Sequence, residues 1–198
     1  MRFFLVRICM LLFAFDVFVP NQNMVYCEEQ SPAYIFVNDM GKEVLDVLKN
    51  NSSEKERCSK LLEKLKNKVN FEQLAKASLT KKHYEKVLKK EHNFLKYFEN
   101  MAVKYVASLM QKYDSKNVKF EVVSRVQKSG KNYRVASRII VNETFNVNWI
   151  VSSDMKIVDI VAEGVSLKGI LKTQVYDVIK RNGEVKFLKE FVEKYKDL

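Results

Sequence analysis

The spacing of apolar residues changes near residue 117, and this change sets the fold class. Up to that point apolar residues recur every three or four positions, which predicts amphipathic helices. From there to about residue 162 they alternate with polar residues, which predicts β-strands, and after residue 167 the helical spacing returns. Turn signals at Ser129-Gly130 and Ser153-Asp154 separate the strand segments and indicate hairpins. The sequence therefore predicts one α+β domain with N-terminal helices, a four-stranded antiparallel curved sheet and C-terminal helices.

Helix starts and stops give approximate boundaries. Ser31 precedes Pro32 as an N-cap, Ser53 and Glu56 form a capping-box pattern, and Asn70 precedes a short apolar stretch. A basic stretch after residue 80 leads into a long predicted helix over about 91–113, and two final helices over about 167–181 and 184–195 are separated by Asn182-Gly183. The four predicted strands cover about residues 118–126, 133–141, 145–151 and 157–162.

The first 27 residues have the pattern of a secretory signal peptide. Arg2 and Arg7 provide a positive start, and residues 8–15 form a continuous apolar run. A run of this length spans about 12 Å as a helix, whereas a bilayer core is about 30 Å thick, so no membrane anchor is predicted. We expect cleavage after Cys27, which leaves residues 28–198 as a single exported domain. A lipoprotein signal that keeps Cys27 and a short N-terminal core helix are the alternatives.

The composition excludes several classes of function. The 198 residues include only two histidines and five glycines, and no glycine-rich phosphate loop, nucleophile elbow or metal-ligand motif is present in the sequence. We therefore expect no enzyme, no catalytic residue, no metal and no cofactor. The net charge of +11 comes mostly from lysine rather than from the arginine that nucleic-acid readers use. It fits an exported protein that approaches anionic lipid surfaces, and not a nucleic-acid partner.

Cysteine and histidine are the residue types that could still provide reactive side chains. Cys58 is the one cysteine left after the predicted cleavage, so no internal disulfide is expected. Its basic neighbours Arg57 and Lys60 would lower the pKa of the thiol, but it lies beside an apolar stripe, and we expect a packed thiol rather than a nucleophile. His83 and His92 are expected to be solvated on a helix face.

Residues 161–167, Val-Ala-Glu-Gly-Val-Ser-Leu, join the last predicted strand to the next helix. This segment resembles a characteristic element of the MlaC (toluene-tolerance) family of periplasmic phospholipid-binding proteins. Residues 70–75, 94–113 and 147–160 are similar to further family segments in order and spacing, so the resemblance covers about residues 32–192. The chain departs from the family pattern at residues 171–175, where Leu-Lys-Thr-Gln-Val replaces a stretch that contains aromatic residues and an arginine.

The resemblance implies an NTF2-like fold in a monomeric periplasmic carrier without a cofactor. It implies that phospholipid is shuttled between an outer-membrane lipoprotein complex and an inner-membrane ABC transporter complex with an MCE domain, a traffic that serves outer-membrane lipid asymmetry. The acyl chains would lie in an apolar cavity between the sheet and the helices, with the headgroup near the mouth. Lys172 and Gln174 stand where the family has a headgroup or partner contact.

The candidate residues for the cavity wall lie on the apolar face of the predicted strands and at the start of the helix that follows them. They are Val122, Val135, Ile139, Val147, Trp149, Ile160, Val165, Leu167, Ile170 and Leu171. Alternation does not distinguish a cavity face from a solid core. A non-enzymatic NTF2-like adaptor with a filled core and no lipid is therefore the alternative function. Glycosylation sequons at Asn50, Asn51 and Asn142 leave a secreted protein of eukaryotic type as a further alternative.

Overall fold

A computed structural model of the protein describes residues 26–27, 31–50, 53–110 and 117–197. Most of the predicted signal peptide, residues 1–27, and the end of the predicted long helix therefore lie outside the described residues. Within them the chain forms seven helices and one antiparallel sheet. In chain order the elements are β1 (Tyr26–Cys27), α1 (Pro32–Lys49), α2 (Glu54–Leu65), α3 (Phe71–Ser78), α4 (Lys81–Lys90), α5 (Phe94–Met110), β2 (Lys119–Ser129), β3 (Asn132–Ile140), β4 (Thr144–Ser152), β5 (Ile157–Ala162), β6 (Val165–Ser166), α6 (Leu167–Asn182) and α7 (Glu184–Tyr195).

The predicted helix starts at residues 31, 53 and 70 are confirmed. The side chains of Ser31, Ser53 and Asn70 each accept a hydrogen bond from the backbone N–H three residues further on, over 3.2, 3.2 and 2.9 Å. These bonds satisfy backbone donors that have no partner inside the helix. The break between α6 and α7 is also confirmed, because Gly183 has φ +78° there, a conformation that glycine adopts without steric cost.

The prediction is incomplete after Thr80. Residues 81–90 form a separate helix, α4, whose first turn is capped by the Thr80 hydroxyl, and α5 begins at Phe94 instead of near residue 91. The lysines of α4 obscure its apolar side, which consists of the buried residues Tyr84 and Val87. These two residues are three positions apart and so face the same side of the helix.

The sheet has six strands, not four, in the order β1-β2-β3-β4-β5-β6, and each strand is antiparallel to the next. The four long strands match the prediction, whereas β1 and β6 have two residues each and are too short to show an alternating pattern. The register shifts between Val122 and Val126 in β2 and between Ile150 and Val151 in β4. Such bulges increase local bending and twist, and here they curve the sheet.

The helical layer has a solid core that is rich in aromatic residues. Phe94 on α5 packs against Phe98 and against Phe191 on α7, with ring centroids 6.1 and 5.4 Å apart, and Phe187 lies 5.0 Å from Phe191. One end of the sheet joins this core through fully buried residues of its inner face, namely Val126, Val135, Val151 and Ile157. The other end of the inner face is covered by α1 and by the start of α6, and the candidate site lies there.

Among the described helices, none combines the length and the apolar composition that crossing a membrane would require.

Candidate functional site

An apolar cavity of about 180 Å³ lies between the inner face of the sheet and helices α1, α5 and α6. Carbon atoms form nearly all of its wall, and no charged side chain lines it. The lining residues are Gly41, Val44, Leu45 and Leu48 from α1, Tyr105 and Val106 from α5, Phe120, Ile139, Val147, Trp149, Ile160, Ala162 and Val165 from the sheet, and Leu167 and Ile170 from α6. Such a wall can hold hydrocarbon but offers no group for acid–base or nucleophilic chemistry.

Seven of the ten candidate wall residues meet at this cavity. They are Ile139, Val147, Trp149, Ile160, Val165, Leu167 and Ile170. Their common position follows from the strand register, which pairs Val147 with Ala162 and Trp149 with Ile160 across β4 and β5. Residues that pair across an antiparallel ladder point to the same face.

The remaining three candidates lie elsewhere, for identifiable reasons. Val135 is fully buried in the core because it stands opposite Val126 and Trp149 at the filled end of the sheet. Val122 pairs with Ser137 next to the β2 bulge and packs against the core. Leu171 follows Ile170 by one residue, which turns it by about 100° around α6, so it is buried away from the cavity.

The wall residues on α1 and α5 are not among the sequence candidates. Helical spacing marked them only as a buried stripe, and a stripe looks the same against a core as against a cavity. Gly41 was the available signal, because a glycine inside an amphipathic helix often marks a close approach. A Cβ at Gly41 would lie 2.2 Å from Cε1 of Phe120, so the Phe120 ring occupies the space that any other residue would fill.

Trp149 presents a carbon surface to the cavity because its one polar atom is satisfied elsewhere. Its indole Nε1 donates a hydrogen bond of 2.8 Å to Oγ of the buried Ser137, and that hydroxyl donates to the backbone oxygen of Val147 over 3.3 Å. The Phe120 ring contacts the indole edge-on, with centroids 6.1 Å apart. The orientation of the indole is thus fixed by one hydrogen bond and one aromatic contact.

A second apolar cavity of about 60 Å³ lies next to the first, deeper between α1, α3 and α5. Five side chains border both cavities and form the partition between them: Val44, Val106, Trp149, Ile160 and Leu167. The partition consists of side chains only, so a change of rotamer would join the two spaces.

A tight hairpin forms one edge of the cavity mouth. Glu163 and Gly164 have φ of +47° and +81° and connect β5 to β6, the conformation that two-residue hairpins of type I′ require. The backbone N–H of Glu163 donates to the carbonyl of Asn146 over 3.0 Å, and the Glu163 carboxylate accepts from the N–H of Asn146. These bonds hold the hairpin against β4 and leave Val165 at the mouth with 56% of its surface exposed.

Buried Asp159 attaches α6 to the sheet. Its carboxylate accepts hydrogen bonds from the N–H of Ile160, the hydroxyl of Ser166 and the N–H of Lys168, over 2.9, 2.7 and 3.2 Å. The Ser166 hydroxyl in turn accepts from the N–H of Gly169 and caps α6. The segment over residues 163–167 therefore has a structural basis: two residues make the turn, one lies at the mouth, one caps the helix and one lines the cavity.

A separate polar cleft of about 360 Å³ lies on the opposite side of Tyr105 from the cavity. It is lined by Glu54, Met101, Lys104, Tyr105, Ser108, Leu171, Gln174, Lys194 and Tyr195. Of the two residues predicted to contact a headgroup or partner, Gln174 lines this cleft. Lys172 does not line it, and its ammonium lies 5.7 Å from the centroid of the Tyr176 ring instead.

Cys58 and His83, the candidates for reactive side chains, have surroundings that indicate structural roles. Burial of Cys58 and the nearby Glu54 carboxylate raise the pKa of the thiol and outweigh the lowering by the basic neighbours Lys104 and Arg57, and the expected packed thiol is confirmed. His83 is half-buried, with Nδ1 3.1 Å from Oε1 of Glu184, and is not simply solvated. Among the described residues, no group of three or more histidine, cysteine, aspartate or glutamate side chains could hold a metal ion.

The fold and the site together define an α+β protein in which a curved antiparallel sheet and surrounding helices enclose an apolar cavity with a mouth beside α6. A family model described as MlaC protein matches residues 38–193, and the chain belongs to the MlaC family. The resemblance inferred from the sequence and the predicted fold class are thereby confirmed.

A solved structure has the same fold. It is the phospholipid-binding protein from Ralstonia solanacearum in complex with a phospholipid. The two chains are 17% identical and superimpose with a TM-score of 0.64, over 84% of this chain and 99% of that one. A search of curated protein sequences finds no match.

Proposed function

We propose that the protein is a non-enzymatic phospholipid carrier that holds acyl chains in the apolar cavity. The observation that carries the proposal is the cavity wall, which is hydrocarbon throughout and opens at an exposed apolar residue, Val165. A protein that only needed a stable fold would fill such a space, because interiors pack as densely as organic crystals. Membership of the MlaC family supports the same conclusion.

The energetics favour a carrier that shields its cargo almost completely. Two acyl chains contain roughly 30 methylenes, each worth about 0.8 kcal/mol on leaving water, or about 24 kcal/mol in all. A bilayer shields the chains equally well, so transfer between membrane and protein is a nearly balanced exchange. Docking to membrane components would then decide when the lipid enters or leaves.

The cavity must expand to hold a whole lipid. Engineered apolar cavities of about 150 Å³ take up a ligand the size of benzene, and the present volume is about 180 Å³. Rotation of other partition side chains, such as Val106 and Leu167, would add the second cavity. A further gain would come from outward movement of α1, which covers this end of the sheet.

We place the carrier in the periplasm as a monomer. The signal-peptide pattern of residues 1–27 supports export, and cleavage would lower the net charge from +11 to +10 because two arginines and one aspartate are removed. In this setting the protein would exchange phospholipid with an inner-membrane MCE-domain ABC transporter complex and with an outer-membrane lipoprotein complex. The lysine-rich surface would favour approach to anionic membranes.

Lipid extraction tests the proposal. The full chain, expressed with its own N-terminus, is purified, extracted with organic solvent and examined by mass spectrometry, and it is also incubated with phospholipid vesicles and re-isolated. We expect co-purified phospholipid and uptake from the vesicles. A lipid-free protein that takes none from vesicles would refute the carrier function and favour an adaptor.

A matched pair of variants locates the lipid. Val165→Glu places a carboxylate at the cavity mouth. Val185→Glu places one on α7, at an apolar residue that is still more exposed, 73% against 56%. We expect reduced lipid loading for Val165→Glu alone, with both variants folded by circular dichroism. Equal loading of the two variants would place the lipid elsewhere.

A further inference from the structure

The polar cleft and the apolar cavity are neighbours across a single side chain. Tyr105 of α5 lines both, since the cavity lies on the side of Val106 and the cleft on the side of Lys104. On α6, Ile170 lines the cavity and Leu171 lines the cleft. Both helices therefore turn one face to each space, and the seam between α5 and α6 separates the two spaces.

The two spaces have opposite chemistry. The cavity wall has no charged group, whereas the cleft is lined by two ammonium groups, Lys104 and Lys194, and by one carboxylate, Glu54. The hydroxyl groups of Ser108 and Tyr105 and the amide of Gln174 add neutral hydrogen-bonding groups. An amphiphile that lay across the seam would find carbon on one side and charges of both signs on the other.

The charged groups of the cleft lie on neighbouring helices. Glu54 on α2, Lys104 on α5 and Lys194 on α7 line the same cleft, and α5 packs against both α2 and α7. Within the described part of the chain, neither Lys104 nor Lys194 forms an ion pair with a carboxylate. Lys194 lies over the ring of its neighbour Tyr195, 5.2 Å from the centroid.

The position of Lys194 is fixed by the packing of α7. The side-chain nitrogen of buried Asn100 on α5 donates a hydrogen bond of 2.8 Å to the backbone oxygen of Tyr195. Phe191, one turn earlier, is buried against Phe94. The end of α7 is thereby held next to α5, so the backbone carries Lys194 to the same cleft as Lys104.

We propose that this cleft binds the headgroup of the carried lipid, and that its two cations and one carboxylate select a zwitterionic headgroup of the phosphoethanolamine type. The phosphate would lie between Lys104 and Lys194, because charge-assisted hydrogen bonds to phosphate are among the strongest available. The headgroup ammonium would pair with Glu54. An anionic headgroup without an amine would meet the Glu54 carboxylate unpaired and would bind less well. The inference rests on the carrier function, and it adds the class of lipid.

Competition between two lipids tests the selection. The protein is incubated with vesicles that contain equal amounts of phosphatidylethanolamine and phosphatidylglycerol, and the ratio of the two lipids on re-isolated protein is measured by mass spectrometry. We expect an excess of phosphatidylethanolamine on the unmodified protein. Glu54→Gln should shift the ratio toward phosphatidylglycerol by about two- to fivefold, the range expected for one partly exposed ion pair.

Removal of the cations tests the phosphate contact. The double variant Lys104→Gln/Lys194→Gln should lower uptake of both lipids by a similar two- to fivefold factor or more. The control is Lys186→Gln/Lys189→Gln, which removes the same charge from exposed positions of α7 outside the cleft. Equal uptake by the cleft and control variants, or an unchanged lipid ratio in Glu54→Gln, would overturn the proposal.

Two further outcomes distinguish failure of the carrier function from failure of the cleft proposal. A protein that takes up no lipid in any form refutes the carrier function itself, whereas normal uptake without headgroup selection refutes only the cleft proposal. Titration with inorganic phosphate, followed by ³¹P NMR, distinguishes a lipid headgroup from free phosphate. Phosphate binding that Lys104→Gln/Lys194→Gln abolishes, combined with unaltered lipid uptake by that variant, would make the cleft a phosphate site and overturn the headgroup assignment.

Discussion

The helical layer and the inner face of the sheet are both apolar, but they are packed differently. Between α5 and α7, aromatic rings such as Phe94, Phe98 and Phe191 fill the interior completely. At the end of the sheet that α1 covers, side chains of similar size, such as Leu48 and Trp149, leave a cavity. At this end α1 packs against β2 and β3, and Gly41 admits the ring of Phe120. Apolar content alone therefore does not decide whether an interior is solid.

Replacing one leucine in each region by alanine should give the largest difference between the two regions in the free energy of unfolding. Leu61→Ala on α2 removes a fully buried side chain, and we expect it to lower the free energy of unfolding by about 3–5 kcal/mol. Leu48→Ala on α1 removes a cavity-wall side chain that lacks neighbours on one side, so fewer contacts are lost and about 1–2 kcal/mol is expected. Urea denaturation of both variants checks this, and equal losses would mean that the cavity end is packed as tightly as the helical core.

Replacing one valine in each region by a larger side chain should destabilise the packed core more than the cavity end. Val147 and Val151 lie on the same face of β4, the first at the cavity and the second in the core. Val151→Phe overfills packed space and should cost about 1–3 kcal/mol of stability, whereas Val147→Phe should cost less and reduce lipid uptake. Thermal unfolding and vesicle uptake measure the two effects. A Val147→Phe protein that loads lipid normally would contradict the location of the cargo.

The smallest expected effect on stability comes from the ion pairs between the start of α7 and α4. Glu184 at the start of α7 is 2.9 Å from Nζ of Lys90 and 3.1 Å from Nδ1 of His83, and these bonds hold the pKa of its carboxyl below the ordinary 4.5. A lowered folded-state pKa means that the stabilisation is complete above about pH 4.5 and is lost as the pH falls through the folded-state value. Glu184→Gln should therefore cost about 0.5–1 kcal/mol at pH 7 and progressively less toward pH 3.

A control on the same helix isolates that contact. Glu190 is 4.0 Å from Lys186 and more exposed than Glu184, so Glu190→Gln should change stability less at pH 7. Because neither residue lines an apolar cavity, neither substitution should alter lipid uptake. A loss of uptake in Glu184→Gln would show that the solid region and the cavity are coupled.

The sequence predicted the fold class, the helix starts and the four long strands, because each depends on local spacing or on a capping side chain. It missed α4, whose lysines hide two apolar residues, and the strands β1 and β6, which are too short to show a period. Seven of its ten wall candidates line the cavity, four through alternation on one sheet face and three from the segment that follows the last predicted strand. Val122 was misassigned because it lies next to the bulge in β2, and Val135 because it lies at the filled end of the sheet. Leu171 was misassigned because one residue of helical rotation turns it away from the cavity.

The α1 and α5 walls could not be predicted, since an amphipathic stripe carries no information about what lies opposite. The same limit applies to the polar cleft, whose charged residues come from three helices that are distant in the sequence. Only Gln174 was singled out beforehand, and only by the family resemblance. Sites that arise where several elements converge require the tertiary arrangement, whereas the segment over residues 161–167 could be recognised from the sequence alone.

Trp149 gives the molecule an optical property. It is the only tryptophan in the chain, it borders both apolar cavities, and its N–H is held by Ser137. Trp149 is the one indole of the chain, so all tryptophan fluorescence of the native protein originates at the partition between the two apolar cavities. Indole emission depends on the polarity and mobility of these surroundings. The protein thus contains a built-in spectroscopic probe at that point, and no label has to be attached.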